Sequence, residues 1–318
     1  MYYPNLRWKQ GEIKALENAP DEWISTVCPI WIIENPQGVL VDAALGIASV
    51  WSGDQILDMS RVDIEDIEED LYTAVESTNL PFAILPQSVP HLTKNLLKAF
   101  SKRPCFRVAC PPSLEETLEV ERHTKNIDQI KAFAENQNLI VIIDFGFVTT
   151  HFVDESKRLA EIVEMYSTNL KRQIIVSGGS FPSTLQDVQG ARPIARIEKN
   201  LYTEISANIS TTIQYSDYAT LSPDWSQSEI LRSNHINIRY THDDHWLVLR
   251  QRGKDAAAIY ELTQLLVLQD EYRGAEFSWA DDIWKKRSEE PPQTGPGNST
   301  FHVSEFIHHH IAQVVKYG

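Results

Sequence analysis

The segment Leu139-Ile140-Val141-Ile142-Ile143-Asp144-Phe145 decides the fold. A strand with one face in water alternates apolar and polar residues. This one is apolar without a break until Asp144, the pattern of a strand buried on both faces of a parallel sheet. Downstream, residues 154–169 form an amphipathic helix with Leu159, Ile162, Val163 and Tyr166 on one face. A further strand follows at 173–176, ending in Ser177-Gly178-Gly179-Ser180-Phe181-Pro182. A helix over 194–209 and a last strand over 213–219 continue the alternation.

Upstream, strands are predicted at 82–85 and 105–110, with helices at 91–101 and, long or broken, at 113–135. The first strand is Tyr2 to Trp8, with a short helix over 11–18 after it. Ile24 to Ile33 reads as a second strand and Gly38 to Ala44 as a third. Only Glu34 to Gln37 separates these two. A parallel crossover needs about a dozen residues, so the spacing implies either a hairpin or a lost helix. With eight barrel strands in all, the reading is an irregular (β/α)8 TIM-like barrel over 1–220. A C-terminal β-hairpin, a closing helix and C-terminal helices over 221–318 pack on the same single domain. The hairpin arms are 236–240 and 245–250, joined around Asp243 and Asp244. Helices are expected at 255–269 and 304–315, either side of the Pro/Gly-rich loop 291–298. No repeat and no interdomain linker is visible.

The 318 residues carry 29 Lys and Arg against 44 Asp and Glu, a formal charge of −15. Such a field repels polyanions, which argues against general nucleic-acid binding and against an anionic membrane surface. The odd cysteine count (Cys28, Cys105, Cys110), with no metal-ligand spacing, fits a reducing compartment. With no apolar signal core at the start and no run long enough to span a bilayer, a cytoplasmic protein is expected. Six acids within Asp63–Asp70 read as a solvated helix start.

In such a barrel, chemistry sits at the C-terminal ends of the strands. The residues falling there are Lys9, Glu34, Asp42, Asp144, Ser177, Gly178, Gly179, Ser180, Asp217 and Tyr218. Asp144 is the candidate catalytic residue, as a general base or hydroxyl anchor; a loop cap or ion-pair partner is the plainer reading. Gly178-Gly179-Ser180 can bring backbone N–H groups to a phosphate, or simply form a tight turn before Pro182. Lys9 can meet an anion or an internal carboxylate. On the hairpin, Arg239 offers a planar fork for an anion and Trp246 a stacking surface. These ten positions other than Asp144 (Lys9, Glu34, Asp42, Gly178, Gly179, Ser180, Asp217, Tyr218, Arg239, Trp246) form the candidate ligand-binding set. Consecutive helical residues His308-His309-His310 point about 100° apart and cannot share one ion, so no metal and no cofactor is read from them. No hydrolase elbow, Walker A, dinucleotide fingerprint or kinase set is present.

The ordered series of motifs resembles the bacterial and phage "Beta protein" family. Its pieces are Tyr3-Pro4 with Leu6, Lys9-x-Gly11-Glu12, Ala15-Leu16, Gly178-Gly179-Ser180-Phe181-Pro182, Asp217-Tyr218, Asn237-Ile238-Arg239-Tyr240-Thr241, Trp246-Leu247, Phe277-Ser278-Trp279, Gly297-Asn298-x-Thr300 and His308-His309. The chain departs from the pattern in a shortened helical segment after strand two and in Ala280, where Gly often follows Ser-Trp. The resemblance implies a barrel-like α/β fold and, from the genomic company of the family, a role in phage–host conflict. It brings no settled activity, so whether the protein is an enzyme stays open. Three readings follow. One is a sensor whose pocket takes an anionic small molecule such as a nucleotide, or a phage or host protein. Another is a phosphodiesterase- or nuclease-like hydrolase, which needs two carboxylates converging at the barrel mouth and not tied to an arginine. The third is a partner subunit in a defence assembly, with a surface patch around Trp279, Ile283 and Trp284; their spacing also suits one packed helix face.

Overall fold

A computed structural model describes residues 1–34, 40–224, 234–253 and 255–318. Eight parallel strands close into a barrel in the order β1-β2-β3-β4-β5-β6-β7-β9. They are β1 (Tyr2–Arg7), β2 (Ile30–Ile32), β3 (Ile56–Asp58), β4 (Phe82–Ile84), β5 (Cys105–Ala109), β6 (Ile140–Phe147), β7 (Gln173–Gly179) and β9 (Gln214–Asp217). The barrel closes where β9 pairs with β1, Tyr3 opposite Ser216. The remaining strands, β8 (Gly190–Ala195), β10 (His235–Thr241) and β11 (His245–Arg252), form an antiparallel sheet in the order β10-β11-β8.

The apolar run at 139–145 lies in strand β6, buried from Val141 to Phe145, and α8 (Ser156–Leu170) buries Leu159, Ile162, Val163 and Tyr166 as its spacing requires. The predicted hairpin forms around the Asp243-Asp244 turn. Its third strand, β8, lies within the stretch whose 194–195 end was read as the start of a helix; helix α9 runs Ile197–Ala207.

The third strand is not where the sequence reading put it. Leu40–Val50 is a helix, α2, and the barrel strand is Ile56–Asp58; Gly38 and Val39 lie outside the described residues. Leu40, Ala43, Ala44 and Ile47 are the buried residues of α2, spaced i, i+3, i+4, i+7 as one helical face. Gly46 lets that helix reach Trp8, since a Cβ there would stand 2.6 Å from the indole. The segment therefore supplies the crossover that had seemed lost, and alternation between β2 and β3 is regular.

The described residues divide into two compact units. One is the barrel with its helices: Met1–Trp8, Ile24–Ser180 and Ile197–Tyr218. Its lower interior is apolar, filled by Tyr3, Cys28, Ile30, Ile56, Ala83, Cys105, Ile142 and Ile175. Burial pushes the Cys28 thiol up to about 12, so it behaves as a small apolar side chain.

The other unit gathers Lys9–Trp23, Phe181–Arg196 and Ala219–Gly318. One face of its sheet packs Ile238, Tyr240, Leu247 and Leu249 against helices α10 (Ala256–Val267), α11 (Trp279–Ser288) and α12 (Ser299–Tyr317). Trp284 is fully buried there, while Trp279 packs on Phe301 and His308, so these tryptophans form a core face and not a surface patch. Helix α1 (Gln10–Glu17) lies against α12 at Gly11, where a Cβ would meet the Val303 side chain at 2.8 Å. All three histidines 308–310 are buried, and each is hydrogen-bonded: His308 to Asn18 O, His309 to Asp281 and Thr241 O, His310 to the Thr241 hydroxyl. No described helix is long and apolar enough to cross a membrane.

Candidate functional site

The upper interior of the barrel is polar, and the reason is strand periodicity. Two residues along a strand return to the same face. Stepping by two from the apolar layer leads from Tyr3 to Asn5, from Ile56 to Asp58, from Cys105 to Arg107, from Ile142 to Asp144 and from Ile175 to Ser177. Register places Asp144 beside Ser177, and Ser177 beside Ser216. Six strands thus set a ring of polar side chains just below the face where barrels of this class do their chemistry.

Arg107 is the hub of that ring. Its Nε meets Asp58 Oδ2 at 2.8 Å, Nη1 donates to Asp144 Oδ2 at 2.8 Å, and Nη2 donates to Asn5 Oδ1 at 2.6 Å. The amide of Asn5 donates in turn to the Ser177 and Ser216 hydroxyls, both at 2.9 Å, and to Asp217 O at 3.0 Å. The Tyr218 hydroxyl donates to Asp144 Oδ2 at 2.6 Å, and Gly146 N donates to Oδ1 at 3.1 Å. Ser60 N donates to Asp58 Oδ1 at 3.0 Å. Arg107 is 2 % exposed and Asp58 1 %, so these bonds form away from water.

Burial works against the charge on Arg107. Asp58 first and then Asp144 outweigh it, and the guanidinium pKa stands above its ordinary value. Burial, reinforced by Asp144, also raises the Tyr218 phenol, which stays a hydrogen-bond donor. The two carboxylates converge, but on one guanidinium that lies between them. A metal ion would have to displace Arg107, and the lone pairs a general base needs are largely engaged on Asp144.

Of the residues read from sequence, the structure brings Asp144, Ser177 and Tyr218 into this ring. Asp217 follows the other face of β9 and accepts from the Tyr2 hydroxyl at 2.5 Å and from Tyr215 at 2.8 Å. Ser180 donates to Glu198 at 2.5 Å and accepts from Ile197 N. Gly178 is needed for packing, because a Cβ there would stand 2.7 Å from Val148; Gly179 O accepts from Val148 N. The glycine pair thus closes a strand end. Glu34 is exposed just beyond β2. Asp42 is corrected: it lies exposed in the first turn of α2, where a carboxylate favours the helix dipole, and not at a strand end.

The other three belong to the second unit. Lys9 is exposed at the N-cap of α1. Arg239 donates to Thr220 O and lies 4.5 Å over the Phe181 ring. Trp246 is 1 % exposed, held edge-on by Phe181 with the Arg196 guanidinium 5.8 Å over its ring, which corrects its reading as a stacking surface for a ligand.

Sequence reasoning passed over Asn5, Asp58 and Arg107. A signal was there: Arg107 is the one charged residue in the buried strand Cys105–Ala109, and a buried guanidinium demands carboxylate partners.

Fold and site together define a (β/α)8 barrel protein with a salt-bridged polar layer under its C-terminal face. Residues 2–316 match the family model "Beta protein", and the chain belongs to that family. No curated protein matches this chain.

Proposed function

We propose that this protein works by binding, as a ligand- or protein-sensing component in phage–host conflict. Its ligand is an anionic small molecule of nucleotide type, or a phage or host protein, taken at the C-terminal face of the barrel. The observation that carries the preference for binding over hydrolysis is the sharing of Arg107 by Asp58 and Asp144. A hydrolase of the phosphodiesterase class needs carboxylates available to water or metal, and these are occupied. Arg61, on the loop after β3, supplies an exposed positive charge that acts on the Tyr218 phenol. Family membership supports the setting in phage–host conflict through the genomic company its members keep.

The test is native mass spectrometry of the purified chain, followed by thermal shift against a nucleotide panel. A co-purified anion, or a nucleotide shift that Arg61→Ala abolishes, is expected. Absence of both overturns the nucleotide-type ligand, and phosphodiester hydrolysis that Asp144→Asn eliminates without unfolding the chain overturns the binding reading.

A further inference from the structure

The turn of the β10–β11 hairpin, Thr241-His242-Asp243-Asp244-His245, contains a group of side chains that the barrel site does not use. His242 N donates to His245 O at 2.8 Å, closing a turn with Asp243 and Asp244 at its tip. Residues opposed across such a turn project to one face, and the two imidazole centroids are 5.1 Å apart. One nitrogen of each ring and a carboxylate oxygen of Asp244 lie within 4.8 Å of one another. Asp244 Oδ1 is 2.7 Å from His245 Nδ1, and Glu271 Oε1 is 3.8 Å from His245 Nε2.

Two of the ring nitrogens, His242 Nδ1 and His245 Nε2, are buried without a hydrogen-bond partner. Buried polar atoms left this way are uncommon and cost stability, so they call for an explanation. We propose that this turn binds a divalent transition-metal ion of the zinc class, held by His242, Asp244 and the His245 Nδ1 that faces it, with Glu271 on the far side of the His245 ring placed to accept from Nε2 and orient it. Two imidazoles with carboxylates suit zinc, nickel or cobalt better than magnesium or calcium, which prefer oxygen throughout.

Charge agrees with the assignment. Asp243, Asp244 and Glu271 surround the imidazoles, against the guanidiniums of Arg273 and Arg196. Arg273 Nη2 stands 3.4 Å from His242 Nε2 and 3.1 Å from Asp243 Oδ1. An ion held by His242 Nδ1 would leave Nε2 protonated, and Arg273, already 3.1 Å from Asp243 Oδ1, would keep that carboxylate as its partner. Zinc bonds of about 2.0–2.2 Å require donor atoms roughly 3.3–3.5 Å apart, so donors that now lie within 4.8 Å of one another close by at most about 1.5 Å on binding.

Titration calorimetry of the full chain, stripped with chelator and then given Zn2+, tests the site. One saturable ion per chain is expected. His242→Ala and His245→Ala should each weaken binding by about 10-fold or more. Asp244→Asn, at an exposed turn position, should weaken it while leaving the thermal melt of the stripped chain unchanged; this arm keeps its meaning if the histidine variants misfold. Asp66→Asn with Glu69→Gln, in the acidic stretch after β3, should bind as wild type does. No saturable binding overturns the site. So does wild-type affinity in Asp244→Asn together with loss in the acidic-stretch variant.

Discussion

Arg107 shows what one buried charge requires of its surroundings. Three partners on three other strands converge on its guanidinium, and two of them are carboxylates. Removing one side of such a pair leaves an uncompensated charge in a low dielectric. Arg107→Ala should therefore cost about 3–5 kcal/mol of unfolding free energy, read by urea denaturation at neutral pH. A change within about 0.5 kcal/mol, as for an ordinary surface substitution, would show that the ring is dispensable. Asp144 was legible in the sequence because it breaks the apolar run 139–143. Its meaning was not, since Arg107 and Asp58 sit on distant strands and only barrel closure brings the three together. Gly178 carries the same lesson: a glycine that sequence alone allows beside a phosphate is required here by the Val148 side chain.

At the scale of the element, periodicity was a sound guide wherever the element was long enough to show one. Helix α8 and strand β6 follow their patterns directly. The Gly38–Ala44 stretch looked extended because it was read over too short a window; carried to Ile47, its apolar spacing is helical. Strand β3 has three residues, too few for any period to appear, and its place is decided by parallel pairing to β2 and β4. Helix α12 illustrates a run of histidines used as core. Burial lowers the His308 pKa from an ordinary 6.5 to about 4. The unfolded chain takes up a proton below pH 6.5 while the folded one does so only near 4. The stability His308 contributes is present above pH 6.5 and is lost as pH falls toward 4, up to about 3 kcal/mol. Glu305 on the same helix, raised to about 7 by burial, runs the other way, its contribution falling as pH rises from about 4.5 to 7. The readout is accordingly the difference between wild type and His308→Gln in denaturant melts from pH 7 to 4. That difference should shrink on acidification; a constant difference would mean that His308 is not buried neutral.

The whole molecule carries an excess of acid, 44 Asp and Glu against 29 Lys and Arg. Duplex DNA should therefore fail to bind at about 0.15 M salt in fluorescence anisotropy, because phosphate affinity depends on clustered cations. Saturable DNA binding under those conditions would contradict the charge argument. The described residues form two compact units, and each is assembled from separated stretches. Lys9–Trp23 and Phe181–Arg196 join the C-terminal part in one of them, although sequence order places both among barrel elements. The sequence by itself determined the alternation of strands and helices, the hairpin, the acidic balance and the ordered motifs of the family. These depend on local period, composition and order along the chain, which need no distant partner to be read. Tertiary structure alone decided which strand stands third in the barrel, that Trp246 is enclosed, and that Asp58, Asp144 and Asn5 share one guanidinium. Each of these is set by pairing and burial between residues far apart in the chain, and no local pattern encodes them.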